Sequence, residues 1–480
     1  MIQDLDKKIL AYALKNAVEH EGKCQAGNIL SSLFHEGLDR ADIKQVMPKI
    51  NDCVKKVNSQ TIKKQQKELE ELENLISHRH EREGMPELED VPKTGVIMRF
   101  SPSSSASAFH IGHILTGMPT CLYIKKYGGT FYLRIEDTNP EKTVPECYEE
   151  FPKEAAWIFG NITEFYAQSD RMQRYYDFAE KLINKGLAFV CTCKKQEDEE
   201  SENEGKEETY KVREPCKCRN NSIKDNQEKW KKMLDKKGFK EGEAVLRFKT
   251  SLELNNPSLI DFPLARINLF PHPRQGTKYR VWPLMNLCVT YDDMEQGCTH
   301  IIRAKEHEDN ARKQGMIFEA LNVKLPQTYF LGRYKFNDLE ISKTKITERI
   351  KKGEFSGWDD IRLPLARNFK RRGYQPEAFA KMVEQRGLSK VDKVLDKKDF
   401  YDVLDKFNRE IIESIAIRAT FTPSKSKDAI EVLMDDAKMI KGKTDLSISK
   451  LKDGDIVYFE GIGYARFNSK EKIKFWFCQK

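Results

Sequence analysis

Apolar positions change their spacing several times along the chain, and each change predicts a different kind of element. Over residues 1–90 they recur at helical intervals, in Ile9, Leu10, Ala13, Leu14 and Val18, then Ile29, Leu30 and Leu33. The run Thr61–Arg82 is almost wholly Lys, Gln, Glu and Leu with acids and bases interleaved, which predicts one solvated helix. The loop Gly84–Pro92 follows, so a helical domain is expected over residues 1–92. From Val96 the pattern shifts to short apolar strands separated by helices, the layout of a parallel sheet. Gly95–Phe100 and Thr130–Ile135 read as strands, with Ile114, Leu115, Met118 and Leu122 marking a helix between them. Strands are predicted again at Ala244–Lys249, through Trp282–Thr290 and from Cys298 towards Arg303. Residues 375–420 read as helical, and Asp453–Phe477 alternates like a small β-unit.

A length of 480 residues allows three or four domains, each with its own core. The formal charge of +8 fits a polyanionic partner but does not single one out. No run of 18 apolar residues predicts a membrane span, and MIQDLDKKIL carries no apolar stretch of a secretory leader. Eleven cysteines in such a chain point to thiols or metal ligands before disulfides.

Six stretches carry candidate chemistry. In MRFSPSSSASAFHIGH (98–113) a strand enters a loop of small polar residues and then a helix. That arrangement brings backbone N–H groups and a helix N-terminus to a phosphate, with His110, Gly112 and His113 at the helix entrance. Strand Thr130–Ile135 ends in Arg134 and Ile135, and the paired acids Glu136 and Asp137 follow where open α/β sheets gather ligand groups; a turn there that caps the next helix is compatible with that role. Cys191, Cys193, Cys216 and Cys218 flank the acidic segment 194–209 and suit a tetrahedral zinc that ties the base of a loop; four free thiols are the alternative. Arg303, at a strand end, has the fork to grip a carboxylate, or else forms an internal ion pair. The polar loop bearing Ser342, Lys343 and Lys345 suits charge on a phosphate oxygen, and the basic cluster Arg367, Lys370, Arg371 and Arg372 could follow a nucleic-acid backbone.

Together these segments resemble a class I aminoacyl-tRNA synthetase: His110–His113 is similar to that class's HIGH motif, and Ile341–Thr344 to its KMSKS loop. RIEDTNP (134–140), HPRQGTKYRVWP (272–283), THIIRAKEH (299–307) and SGWDDIRLP (356–364) resemble glutamyl-tRNA synthetases of the archaeal and eukaryotic type. The resemblance implies an α/β fold: a helical domain over 1–92 and a Rossmann-like catalytic domain over 93–175 and 285–330. It further implies an acceptor-end insertion over 176–284, a helical stem-contact domain over 331–424 and a reduced β-domain over 425–480.

The resemblance also implies ATP with Mg2+, L-glutamate and the glutamate-specific tRNA as substrates, the glutamine tRNA being a further candidate, and structural zinc. His110, Gly112, His113, Ser342 and Lys343 would meet ATP, with His110, His113 and Lys343 catalytic; Arg99, Ser101, Glu136 and Arg303 would hold glutamate. The enzyme is expected in the cytoplasm, as a monomer or with a protein partner on its N-terminal domain. Glutaminyl-tRNA synthetase, a degenerate tRNA-binding relative and an enzyme charging a modified nucleoside are the alternatives; Arg303 opposes the first. Departures from the family pattern are the Ser/Ala run before His110, Glu340 where the loop's first lysine stands, Met285 where an aromatic hydroxyl residue stands, and a C-terminal β-region shorter than a double barrel.

Overall fold

The computed structural model describes residues 4–20, 22–39, 42–76, 84–193 and 216–480, in two compact units, Met1–Arg82 and Glu83–Lys480. The acidic segment expected between the cysteine pairs lies outside the described residues. In the first unit, helices Leu5–Glu19, Ala26–His35, Ile43–Asn58 and Ile62–Leu72 enclose Ile9, Leu14, Ile29, Leu33, Ile50 and Val57. The fourth helix ends at Leu72 and is mostly exposed, as its charge pattern predicts. Its Gln65 is buried and donates to the carbonyls of Gly22 and Val57.

The loop Gly84–Pro92 belongs to the second unit, which corrects the expected boundary at 92. Leu88 is buried in that unit's core, and its N–H donates to the Tyr127 hydroxyl at 3.1 Å. The catalytic-type sheet is built from β1 (Val96–Phe100), β2 (Gly129–Ile135), β3 (Glu164–Ala167), β4 (His300–Ala304) and β5 (Gln327–Leu331). Strands β1, β2 and β3 pair in parallel, as do β4 and β5. Thr299 N–H joins the two groups by donating to Ile97 O at 2.9 Å, so the layer runs β3-β2-β1-β4-β5. Helix α1 (Ile111–Tyr127) covers β1, β2 and β4. Close approach at the start of the sheet needs glycine. Gly129 has φ +114°, and a Cβ there would meet Val96 O at 2.0 Å.

Between β3 and β4 stands a four-stranded antiparallel sheet of Ala188–Cys191, Val245–Phe248, Pro263–Ile267 and Val281–Pro283. Its core includes Met172 and Tyr175, so the insertion's packing begins before residue 176. Only Val281–Pro283 of the strand predicted through Thr290 forms. From Met285 to Glu295 the chain is helix α2. The apolar run 287–289 is buried from every side, a pattern in which strand and buried helix look alike.

After β5, helices Ala366–Arg372, Pro376–Arg386 and Lys397–Ile412 pack together, beside a parallel pair formed by Tyr334–Phe336 and Lys393–Leu395. The chain then forms a seven-stranded mixed sheet that already includes Ile417–Ala419 and Thr422–Pro423, ahead of the expected start at 425. Phe467, Phe475, Trp476 and Phe477 are buried in it; the last three are consecutive, so both faces of the strand Phe475–Gln479 are covered, which alternation does not predict.

Candidate active site

The loop after β1 delivers His110 as the N-cap of α1. His110 Nδ1 accepts from Gly112 N–H at 3.0 Å, and His113 Nδ1 accepts from His110 N–H at 3.3 Å. Each Nδ1 is therefore an acceptor, so each ring carries its proton on Nε2, which is left as a donor. The ring centroids lie 3.9 Å apart. Burial lowers the His110 pKa to about 4, and burial together with His110 holds that of His113 well below the usual range. Gly112 acts through its size and its amide: a Cβ would lie 2.8 Å from the His110 ring, and its N–H is committed to that imidazole. The strand-like stretch at Leu365 braces the loop, with Ile111 N–H on Pro364 O (3.0 Å) and Ala366 N–H on Phe109 O (2.8 Å). Buried Glu154 accepts from Phe109 N–H at 2.5 Å.

Lys343 starts helix Lys343–Lys351, and its exposed ammonium donates to Ser105 O at 2.6 Å, beside the small-residue loop. Glu340 supports this turn: its carboxylate accepts from Ser342 N–H at 2.9 Å and stands 3.8 Å from the Lys345 ammonium. With Ser107, Trp358 and Arg367, Lys343 lines a cleft of about 390 Å³.

The ends of β1, β2 and β4 bring Arg99, Glu136 and Arg303 together over a buried charge cluster. Asp293 of α2 lies 2.8 Å from Arg134 NH1 and 3.3 Å from Arg99 Nε. Arg134, wholly buried, also faces Glu136 at 3.7 Å. Burial pushes the Glu136 carboxyl up, against the pull of Arg134, Arg99 and Arg303. Ser101 Oγ is buried, with no hydrogen-bond partner among the described residues. Arg303 is 7% exposed, and among the described residues no carboxylate lies within ion-pair distance of it. Burial and the neighbouring Arg99 lower its pKa to about 10. It is held by Gln314 Oε1 at 3.0 Å. Glu136 and Asp293 attract it only from beyond ion-pair distance, and a ligand carboxylate would supply a direct partner. Met285 is half-buried at the first turn of α2.

The four cysteines converge. Their sulfurs all lie within 4.8 Å of one another, with Cys191–Cys216 at 3.3 Å, Cys193–Cys216 at 3.4 Å and Cys193–Cys218 at 3.8 Å. Zn–S bonds of about 2.3 Å place tetrahedral sulfurs about 3.8 Å apart, so the group has the dimensions of a zinc site.

The basic helix divides. Arg372 is corrected from a nucleic-acid contact to a core residue: it is buried and donates to the carbonyls of Phe477 (3.1 Å) and Cys478 (2.7 Å). Arg367 is turned towards the histidine loop, on Ser107 O (3.2 Å) and opposite Glu154 (3.5 Å). Arg371 pairs with Asp359 and Glu471. Lys370 is exposed.

Asp293, Glu154, Gln314 and Asn286 are not singled out by sequence reasoning, and Arg134 is given no role by it. The adjacent acids Asp292 and Asp293, one turn after the apolar run 287–289, are the available signal. The others are ordinary polar residues until the fold supplies their partners.

The profile of "tRNA synthetases class I (E and Q), catalytic domain" matches residues 95–413. The glutamate–tRNA ligase of Methanocaldococcus jannaschii is 37% identical over 428 residues, covering 89% of this chain and 74% of that protein. That of Methanosphaera stadtmanae is 35% identical over 455 residues, covering 94% and 78%. A solved glutamate tRNA ligase from Elizabethkingia meningosepticum aligns over 67% of this chain and 70% of its own, with TM-score 0.47 and 19% identity.

Proposed function

The chain belongs to the class I tRNA synthetases that handle glutamate and glutamine, and from that premise we propose that it is a glutamate–tRNA ligase. The observation that carries the choice of amino acid is Arg303, a buried guanidinium held by an amide and, among the described residues, with no carboxylate within ion-pair distance. Glutamate would compensate that charge. The carboxamide of glutamine would leave it uncompensated, which disfavours the glutamine-specific alternative.

In this reading the α-carboxylate of glutamate attacks the α-phosphorus of ATP, an acyl-phosphate bond forms, and diphosphate leaves. The terminal adenosine of the tRNA then takes the acyl group and AMP is released. No protein nucleophile is needed, so the protein contributes position and charge. The Nε2–H groups of His110 and His113 donate to phosphate oxygens, and Lys343 leaves Ser105 O to meet charge on the reacting phosphate, with Ser342 beside it. Mg2+ enters with ATP. Arg303, Arg99 and Ser101 take the glutamate side chain, and Glu136 accepts from its ammonium. The mutual spacing of the four cysteine sulfurs supports a structural zinc with no open position. Lys370 is the member of the basic cluster that remains for tRNA phosphate.

Among the described residues no helix is long and apolar enough to cross a membrane, and we place the enzyme in the cytoplasm, where its tRNA is. Aminoacylation of total tRNA with labelled glutamate and, separately, labelled glutamine tests the reading. Glutamate should be the amino acid attached. Preferential attachment of glutamine, or tRNA binding with no attachment of either, would overturn it. Elemental analysis should find one zinc per chain, lost in Cys216→Ser.

A further inference from the structure

Arg303 stands at the head of a one-way chain of hydrogen bonds that runs on through uncharged side chains. Its NH1 donates to Gln314 Oε1 at 3.0 Å, and Gln314 Nε2 donates to Asn286 Oδ1 at 3.3 Å. Asn286 Nδ2 reaches Asn310 Oδ1 at 3.3 Å, and Asn310 Nδ2 reaches His307 Nδ1 at 3.4 Å. The direction follows from the first link. A guanidinium only donates, so Gln314 must present its carbonyl and turn its amino group to Asn286, and so on to a histidine nitrogen that must be unprotonated. Burial and the positive charge of Arg303 both keep His307 neutral. Arg303, Gln314 and Asn286 are buried and come from β4, the helix Glu308–Ala320 and α2 respectively.

Such a chain orients a guanidinium without opposing its charge. Asp293, ion-paired to Arg99 and Arg134, and Glu136, beside Arg134, attract Arg303 only from beyond ion-pair distance. A carboxylate at position 314 would orient Arg303 equally well and would neutralise it. We propose that Gln314 is a positioning residue that sets the preference for an acid over an amide substrate, because its neutral carbonyl aims Arg303 while leaving the positive charge for the substrate carboxylate. This rests on the role given to Arg303 under the proposed function.

The test compares Gln314→Glu, Gln314→Met and Arg303→Gln with the unaltered protein in steady-state aminoacylation, varying glutamate and ATP in turn. Gln314→Glu is nearly isosteric. It should raise KM for glutamate by roughly 10- to 100-fold, the span of a charge-assisted hydrogen bond, and leave KM for ATP within about twofold. Gln314→Met keeps the charge but removes the acceptor, so a several-fold rise in KM for glutamate is expected, again without a change for ATP. If Gln314→Glu does not fold, as judged by its melting curve, the Met variant decides alone. An unchanged KM for glutamate in the folded variants, or a parallel rise for ATP, overturns the proposal. Arg303→Gln separates the two levels: if it leaves KM for glutamate unaltered, the pocket assignment has failed; if it raises KM while the position-314 variants do not, only the inference about Gln314 falls.

Discussion

Asp293→Asn is the most demanding perturbation of the site. Asp293 lies 2.8 Å from Arg134 and 3.3 Å from Arg99, with side-chain exposures of 2%, 0% and 6% respectively. At an effective dielectric constant of about 20, those separations correspond to gross attractions of about 6 and 5 kcal/mol. Desolvation offsets much of this, and removing one partner of a buried pair costs about 3–5 kcal/mol net. Asparagine still accepts one hydrogen bond, so the lower end, about 3 kcal/mol, is expected. For a cooperative unit of about 400 residues, Glu83–Lys480, that lowers Tm by roughly 4 °C. Burial alone would raise the Asp293 pKa, but Arg99, Arg134 and Arg303 hold it below the ordinary carboxylate range. A depressed carboxyl contributes stability that is present above the unfolded value of about 4 and is lost as pH falls through the lower folded value. The gap between Asp293→Asn and the unaltered protein should therefore be full at pH 7 and close only in acid. Calorimetric melts at pH 7 and pH 3.5, with KM for glutamate measured alongside, make the comparison. A shift below about 2 °C at pH 7, with KM unchanged, would refute the view that this carboxylate holds the arginine cluster together.

Lys343→Ala should lower the aminoacylation turnover number by at least about tenfold while tRNA binding, read by filter retention, hardly changes, because the charge acts mainly in the transition state. His110 and His113 should show no imidazole titration by NMR between pH 5 and pH 8, since their pKa values are lowered, His110 to about 4. The unfolded rings take up protons near pH 6.5 and the folded ones do not, so this pair's contribution to stability falls as pH drops below that value; a titration near neutrality would show the caps to be absent. Lys370→Ala should weaken tRNA binding and reduce the salt slope by about 1. Arg372→Met should lower Tm and leave that slope unaltered; a loss of slope would return Arg372 to the tRNA surface.

The sheet strands and the paired histidines are legible because periodicity and local spacing carry them: β1, β2 and His110-x-x-His113 need only neighbours in sequence. The cysteine quartet is legible for a similar reason, as spacing alone limits how four thiols can meet. Long-range partnership is not written locally. Arg99 finds Asp293 across a separation of 194 residues, and nothing near either residue predicts it. Helix α2 was read as strand because its apolar residues are buried all round and lose the one-sided pattern that identifies a helix. The basic run 367–372 gives one signal, but a helix points consecutive residues in different directions, so Lys370 meets water while Arg372 meets the C-terminal strand. The β-domain boundary fell late because the three-residue strand Ile417–Ala419 is too short to show alternation.

The place of the insertion also has a consequence in time. Strand β1 has β2 on one side at once, but its other neighbour waits for Thr299, 202 residues after Ile97. At about 5–20 residues per second, a ribosome takes roughly 10–40 s to cover that distance. Through that interval the nascent sheet carries an open inner edge of Val96–Phe100, whose Val96 and Met98 are fully buried in the finished protein. The inserted sheet is complete by Pro283, before Thr299 has been made. Synthesis thus passes through a stage in which the insertion has a core and the catalytic sheet has a gap, and any factor that shields an unpaired strand on the ribosome would act there.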